Sequence, residues 1–372
     1  MKLGILCTMI NGFGRRGYYN SQEIGLGRAL ARKGHEVMIY KGIDPSEKEE
    51  KVQVEKNLTI WYLPMKHLGA HGFMDCKYLD PQLKALFCFG DQQIFLPHVY
   101  RWCRRRRIPF AAYVGTAHSL DSNFKSKVMN ALFAAGTLRI YKKNPVLAKT
   151  SAAKEELRQL GVPHAVIAPV GLDNAVLKKN IPADEKMRLR KEHGFEADDV
   201  ILCNVSRLSW EKRPLELIDL FLQVKGKKKF KLIIVGNGPL EEELNEKIRK
   251  NGLEKEVKIY PNVPYEKMWE IYEMSDYYLN MNKGEIFGMA IMEAVYYKTS
   301  VAAIRALGPS VTLKDMKGHK LCENDDEMAE WITGPYPSEK DLQESSEKMA
   351  ATFTWDRCAD AFLQASSEKS SR

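Results

Sequence analysis

Apolar runs and amphipathic stretches alternate along most of the chain. "KLGILC" (2–7), "HEVMIY" (35–40) and the runs at 58–63, 85–89, 109–114, 145–149 and 164–168 predict strands, and helical spacing covers 21–33 and 151–160. "RWCRRRR" reads as the end of a helix ahead of the strand "IPFAAYV". After residue 171 the pattern restarts. Strands are predicted at "VILCNV" (200–205), "KLIIV" (231–235), "VKIY" (257–260) and "YYLNM" (277–281). Helices follow from Pro214, over 240–250 with Pro239 at its start, over 265–274, and from about Phe287. Strands that are apolar on both faces and joined by helices predict parallel, doubly wound α/β sheets, and the restart predicts two of them. The seam is "APVGLDNAVLKKNIPADE", rich in Pro, Gly and polar residues. The expected organisation is an N-terminal Rossmann-like domain over 1–170 and a second over 171–350. A C-terminal helix within 351–372 is expected to pack back on the first domain and end in the frayed tail "SSEKSSR".

Composition narrows the class. With 372 residues, 44% hydrophobic and 28% charged, the chain fits a soluble two-domain protein. No run approaches the ~20 apolar residues of a membrane span. The opening "MKLGILCTMINGFG" has no small-residue cleavage pattern and reads as a first core strand, not a signal peptide. The seven cysteines form no C-x-x-C pair, and Cys7, Cys88 and Cys203 lie in strand-like runs, so reduced core cysteines and a cytoplasmic location are expected. The net charge of +9 is unevenly shared. Residues 1–170 hold 26 Lys+Arg against 13 Asp+Glu, and the remainder 31 against 35. Residues 101–158 alone hold 13 basic and 3 acidic residues. A basic first domain and a mildly acidic second one suggest a different partner for each.

In doubly wound folds ligands bind at the carboxyl ends of the strands. The first such loop, "MINGFGRRGYYN", spells G-x-G-x-x-G with Gly12, Gly14 and Gly17. These glycines precede the helical pattern, and the next strand ends "IYKG" with no acid for a ribose, which speaks against a nicotinamide site. A loop that approaches a phosphate or second substrate and a plain connection both stay open. "SRLSWEKRP" places Arg207, Lys212 and Arg213 beside a helix N-terminus, as a diphosphate clamp or as solvated surface charge. "GNGP", with Gly236 and Gly238, reads as architecture.

"KGEIFGMAIMEAV" (283–295) holds two glutamates, Glu285 and Glu293, in an apolar run. A buried unpaired carboxylate is costly. A helix from near Phe287 would set Glu285 at the helix mouth and Glu293 in the second turn. Helical side chains lean toward the N-terminus, so both carboxylates are expected to approach one cavity. The N–H groups of Phe287, Gly288 and Met289 are expected to open into it. Anion donors from the backbone plus acceptors for hydroxyls suit a nucleotide sugar.

These pieces, with "AKTSAAKEELRQLGV", "VIAPVGLD", "VSRLSWEKRPLELI", "LIIVGNGP", "VKIYPNVPYEKMWEIYEMSDYYLNM" and "FTWDRCADAFL", resemble glycosyltransferase family 4 over most of 145–365. The E-x7-E pair with Phe-Gly after the first Glu is the most specific of them. The first domain matches more loosely, through its Gly-rich loop, "GHEVMIY" and His118 after a strand. The resemblance implies a GT-B fold, two doubly wound Rossmann-like domains with a cleft between them, and retaining sugar transfer in cell-surface polysaccharide or glycolipid synthesis. It implies a nucleotide-sugar co-substrate, a UDP-sugar by expectation, with no cofactor and no metal. Arg207 and Lys212 would bind the donor diphosphate, Glu293 the ribose, and Glu285 with the amides of Phe287, Gly288 and Met289 the donor sugar. Asn262 and Val263 would line the base, the loop of Gly12 and Gly14 would face the donor, and His118 would lie near the sugar. The sequence departs from the family after "MEAV": Tyr296, Tyr297 and Lys298 replace a small turn, and the later Gly-rich loop is reduced to "LGP". The chain has no D-x-D pair.

The acceptor is expected to be anionic or a lipid-linked glycan. In "FKSKVMNALFAAGTLRIYKK" (124–143), Phe124, Val128, Met129, Leu132 and Phe133 fall at helical spacing with basic flanks. That describes a core-packed helix or a contact with the anionic inner face of a membrane. Two other function classes stay open. A nucleotide-sugar epimerase on the same fold would need no acceptor. A basic anion- or nucleic-acid-binding protein would read phosphates through "RWCRRRR"; without interleaved aromatics or a recognisable module, a nucleic-acid partner is not expected.

Overall fold

The computed structural model describes residues 1–10, 21–117 and 124–367. The expectations for Gly12, Gly14, Gly17, His118 and the end of the tail lie outside the described residues. The chain divides into two units. One is formed by the described residues up to Asp173 together with those from Thr354 onward, the other by Asn174–Phe353. The seam falls at Asp173 and the return at Thr354, each three residues beyond its expected place.

The first unit is built on β1 (Lys2–Cys7), β2 (Glu36–Ile43), β3 (Glu50–Glu55), β4 (Leu58–Pro64), the short hairpin β5 (His67–Leu68) and β6 (His71–Gly72), β7 (Ala85–Phe89), β8 (Phe110–Val114), β9 (Val146–Ala148) and β10 (Val166–Ile167). The main sheet runs β10-β9-β8-β7-β1-β2-β4-β3. All its pairs are parallel except β3 with β4. Its helices are α1 (Gln22–Arg32), α2 (Leu96–Arg105), α3 (Phe124–Ala135), α4 (Thr137–Tyr141) and α5 (Ser151–Gln159). β1, β7 and β8 are buried almost throughout, as expected of strands covered on both faces.

The second unit holds α6 (Glu185–Glu192), β11 (Val200–Val205), α7 (Pro214–Val224), β12 (Phe230–Val235), α8 (Glu241–Lys250), β13 (Val257–Tyr260), α9 (Met268–Met274), β14 (Tyr277–Asn280) and α10 (Met289–Tyr296). β15 (Ser300–Ile304), α11 (Leu307–Thr312), β16 (Lys320–Cys322), α12 (Asp325–Thr333) and α13 (Glu339–Thr352) follow. Its sheet runs β13-β12-β11-β14-β15-β16, all parallel. Counted within the sheet this is the order 3-2-1-4-5-6, whose direction reverses between β11 and β14. The last helix, α14 (Trp355–Ser367), belongs to the first unit. There Trp355 is fully buried and Phe362 packs on Phe87 and Tyr113, with ring centroids 4.6 and 5.4 Å apart.

Three helix starts differ from expectation. Residues 265–267 form a short turn and α9 begins at Met268. Pro239 lies in a turn and α8 begins at Glu241. Phe287 lies in a loop and α10 begins at Met289, capped by Gly288 in the left-handed region at φ +84°.

Candidate active site

The reversal between β11 and β14 leaves a crevice at the carboxyl ends of these two strands. Two loops meet there. The first, 206–213, leaves β11 through Ser206 and Arg207 and closes in a short turn, Trp210–Lys212. It rests on the turn after β12: Leu208 N–H donates to Asn237 O at 2.9 Å, and Leu240 N–H donates to Leu208 O at 3.0 Å. This approach needs Gly236, because a Cβ there would lie 1.9 Å from Ser206 O. "GNGP" is therefore the support for the loop that carries Arg207 and Lys212.

The second loop, 281–288, leaves β14. Asn282 N–H donates to Asn280 Oδ1 at 3.0 Å, and Gly284 N–H donates to Asn282 Oδ1 at 2.9 Å. Asparagine side chains that accept from the backbone two residues on hold such turns in place. The loop delivers Glu285 to Lys212: Nζ donates to Oε2 at 2.9 Å, and Asn282 Nδ2 donates to the same oxygen at 3.1 Å. Burial works against the Glu285 carboxylate. The charge and hydrogen bond of Lys212, with hydrogen bonds from Asn282 and Asn280, outweigh it and hold the carboxyl below its ordinary value. Glu285 is therefore ionised at neutral pH. Its own carbonyl accepts Gly308 N–H at 2.8 Å. A Cβ on Gly308 would lie 2.6 Å from Phe287 N, so "LGP" acts as a brace under the loop.

α10 then starts beside Glu285. The N–H groups of Phe287, Gly288 and Met289 have no hydrogen-bond partner among the described residues. Phe287 is buried, edge-on to Phe353 at 5.8 Å. A helix N-terminus with unfilled donors favours an anion.

The remaining expected residues divide. Arg207 is exposed and forms no ion pair among the described residues. Arg213 is not part of a clamp. Its Nη1 and Nη2 donate to Asp325 at 2.9 and 2.7 Å, and its backbone lies in the left-handed region at φ +55°. Glu293 sits deeper than the Lys212–Glu285 pair, and burial, with the charges of Glu285 and Glu293, pushes the hydroxyl of Tyr278 well up. Glu293 is 5% exposed, accepts Tyr272 Oη–H at 2.9 Å, and edges a depression with Leu177, Tyr265, Trp269 and Tyr297. Burial, with the Glu293 charge beside it, pushes the Tyr272 hydroxyl well up, so it stays a donor. Asn262 is exposed and its Oδ1 accepts from Asn237 Nδ2 at 2.7 Å, and Val263 is half-buried. Tyr297, one of the unusual residues after "MEAV", stacks on Tyr272 at 5.9 Å and accepts Lys178 N–H at 3.0 Å. Asn280 and Asn282 were not among the expected site residues; their sequence signal is two asparagines two apart in the loop "NMNKGE".

At the same edge of the first unit's sheet, Asp91 after β7 accepts Gly115 N–H at 2.6 Å and pairs with Lys149 at 3.4 Å. Lys41, near the end of β2, forms a buried pair with Glu23 of α1.

Residues 185–348 match the family model described as "Glycosyl transferases group 1". A D-inositol 3-phosphate glycosyltransferase of Xylanimonas cellulosilytica is 23% identical over 97% of this chain and 94% of its own. Among solved structures, a sucrose-phosphate synthase of Thermosynechococcus elongatus superposes with TM-score 0.76 at 16% identity, covering 100% of this chain and 99% of that one. Anabaena Alr3699/HepE, solved in complex with UDP and glucose, gives 0.71 at 16% identity, over 99% and 100%. The fold is GT-B, and the chain is a glycosyltransferase.

Proposed function

We propose that this glycosyltransferase moves a sugar, with retention, from a UDP-sugar to an anionic or lipid-linked glycan acceptor. The observation that carries the reading is the Lys212–Glu285 pair at the β11/β14 reversal, next to unfilled amides at the start of α10. A diphosphate supplies the anion these donors call for. As the glycosidic bond breaks, the leaving nucleoside diphosphate gains negative charge. Lys212, Arg207 and the helix N-terminus would stabilise it, and one such preorganised donor is typically worth ~3 kcal/mol. Before donor arrives, Lys212 and Glu285 hold each other in place. With donor bound, Lys212 turns part of its charge to the diphosphate, and the ionised Glu285 faces the oxocarbenium-like sugar as an electrostatic support.

Glu293 would accept ribose hydroxyls in place of or beside Tyr272, and Asn262 and Val263 would border the base. Gly12, Gly14 and His118 keep the roles the family resemblance implies, from the first unit. The strong basic excess of residues 1–170 suits an anionic acceptor, and the relative that acts on inositol 3-phosphate has a phosphate-bearing one by its name. The scheme needs no metal.

The test is a donor screen without and with chelator. Nucleotide release from UDP-, GDP- and dTDP-sugars is followed, and the anomeric configuration of the product is read by NMR. Release from the UDP-sugar, indifferent to EDTA, with the donor's configuration kept, is expected. Release restricted to another nucleotide, inversion, or an epimerised donor as sole product would overturn the reading.

A further inference from the structure

Helix α3 is apolar on two sides. Inward, Phe133 joins the core with Val99, Cys103 and Tyr141, and Met129 is buried with it. Outward, Phe124 is 82% exposed, Val128 42% and Leu132 48%, spaced i, i+4 and i+8. Ala131 and Ala135 are exposed as well. The helix, "FKSKVMNALFAA", contains no acidic residue. A surface helix ordinarily turns its polar residues outward, and one that is apolar all round is covered.

The surroundings say by what. Lys127 is exposed on the same helix, and Arg139, Lys142 and Lys143 are exposed on and after α4, which packs against α3. α2, which packs against α4, ends in the exposed run Arg104–Arg107. From Arg101 to Lys154 the sequence has twelve basic residues and one acidic residue, Asp121. A second copy of this chain would bring the same basic rim against this one, and like charges would oppose it. An anionic lipid surface matches both parts: an apolar stripe enters the interface while Lys and Arg meet the headgroups. Among the described residues no helix is long and apolar enough to cross a membrane, so the contact would be peripheral.

We propose that the outer side of α3 docks on an anionic lipid surface, with Phe124, Val128 and Leu132 inserted and the basic ends of α2 and α4 as the electrostatic rim. Docking needs no nucleotide sugar, so it can fail while the donor reading stands, and the reverse.

The test floats the full chain with vesicles of phosphatidylcholine, alone or with about 30% phosphatidylglycerol, at about 50 and 500 mM salt. The protein is expected to bind the anionic vesicles at least ~10-fold better than the neutral ones, and high salt to weaken that binding. Phe124→Ser/Val128→Ser/Leu132→Ser and Arg139→Gln/Lys142→Gln/Lys143→Gln are each expected to cut it at least ~10-fold while leaving UDP-sugar hydrolysis unchanged. Phe124→Trp, at the most exposed of the three sites, is expected to shift its emission to the blue with anionic vesicles only, a readout that does not depend on the multiple variants folding. Binding that ignores lipid charge or the stripe, an unshifted tryptophan, or a wild-type dimer that the stripe variant dissolves would overturn the proposal.

Discussion

Glu285 and Glu293 are the same residue type on one loop and helix, and their surroundings separate them. Glu285 is held ionised by Lys212 and two asparagines, whereas Glu293 is buried against a tyrosine hydroxyl. Their variants should therefore fail in different ways. Glu285→Gln keeps the shape and removes the charge, and is expected to lower kcat by ~10²-fold or more, the loss typical of a group acting on transition-state charge. Glu293→Gln is expected to raise the donor KM with little change in kcat, because ribose binding is equal in ground and transition states. Steady-state kinetics of both variants check this; two wild-type profiles, or the two effects exchanged, would contradict the assignment. The acids and Lys212 are individually legible in the sequence, through spacing and the cost of burying charge. Their pairing is not, because Lys212 and Glu285 stand 73 positions apart. The same holds for Arg213, which looks like a clamp beside Lys212 until Asp325, 112 positions on, is seen to hold it.

Elements that are buried on both faces announce themselves as apolar runs, and β1, β7, β8, β11 and β12 fall where the pattern sets them. Elements with mixed exposure do not. β3 is an exposed antiparallel edge strand, "EKVQVE", and α6, "EKMRLRKE", buries little beyond Leu189 and Arg190. Helix starts slip where a turn intervenes, as Gly288 shows for α10. "LGP" was legible only as a shortened loop; its bracing of Glu285 and Phe287 comes from tertiary approach. Gly308→Ala must push Phe287 aside, and overpacking of this kind costs about 1–3 kcal/mol. A lowered melting temperature is expected together with loss of most UDP-sugar hydrolysis. Gly226→Ala, where an added Cβ meets nothing within 4 Å, is expected to change neither. Thermal melts and nucleotide release compare the two, and equal behaviour would remove the brace.

Across the whole molecule, two mainly parallel sheets and an uneven charge distribution were both readable from the chain, since alternation and composition are summed over many residues. The order of strands was not, and it is that order which puts the site at the β11/β14 reversal. In the proposed function this crevice receives a nucleoside diphosphate through Lys212 and Arg207. Calorimetric titration of wild type, Lys212→Ala and Arg207→Ala with UDP and with uridine checks this. Each substitution is expected to weaken UDP binding by about 2 kcal/mol, a factor of about 30, while uridine binding barely moves and EDTA has no effect. Equal losses for UDP and uridine, or UDP binding untouched by both substitutions, would contradict it.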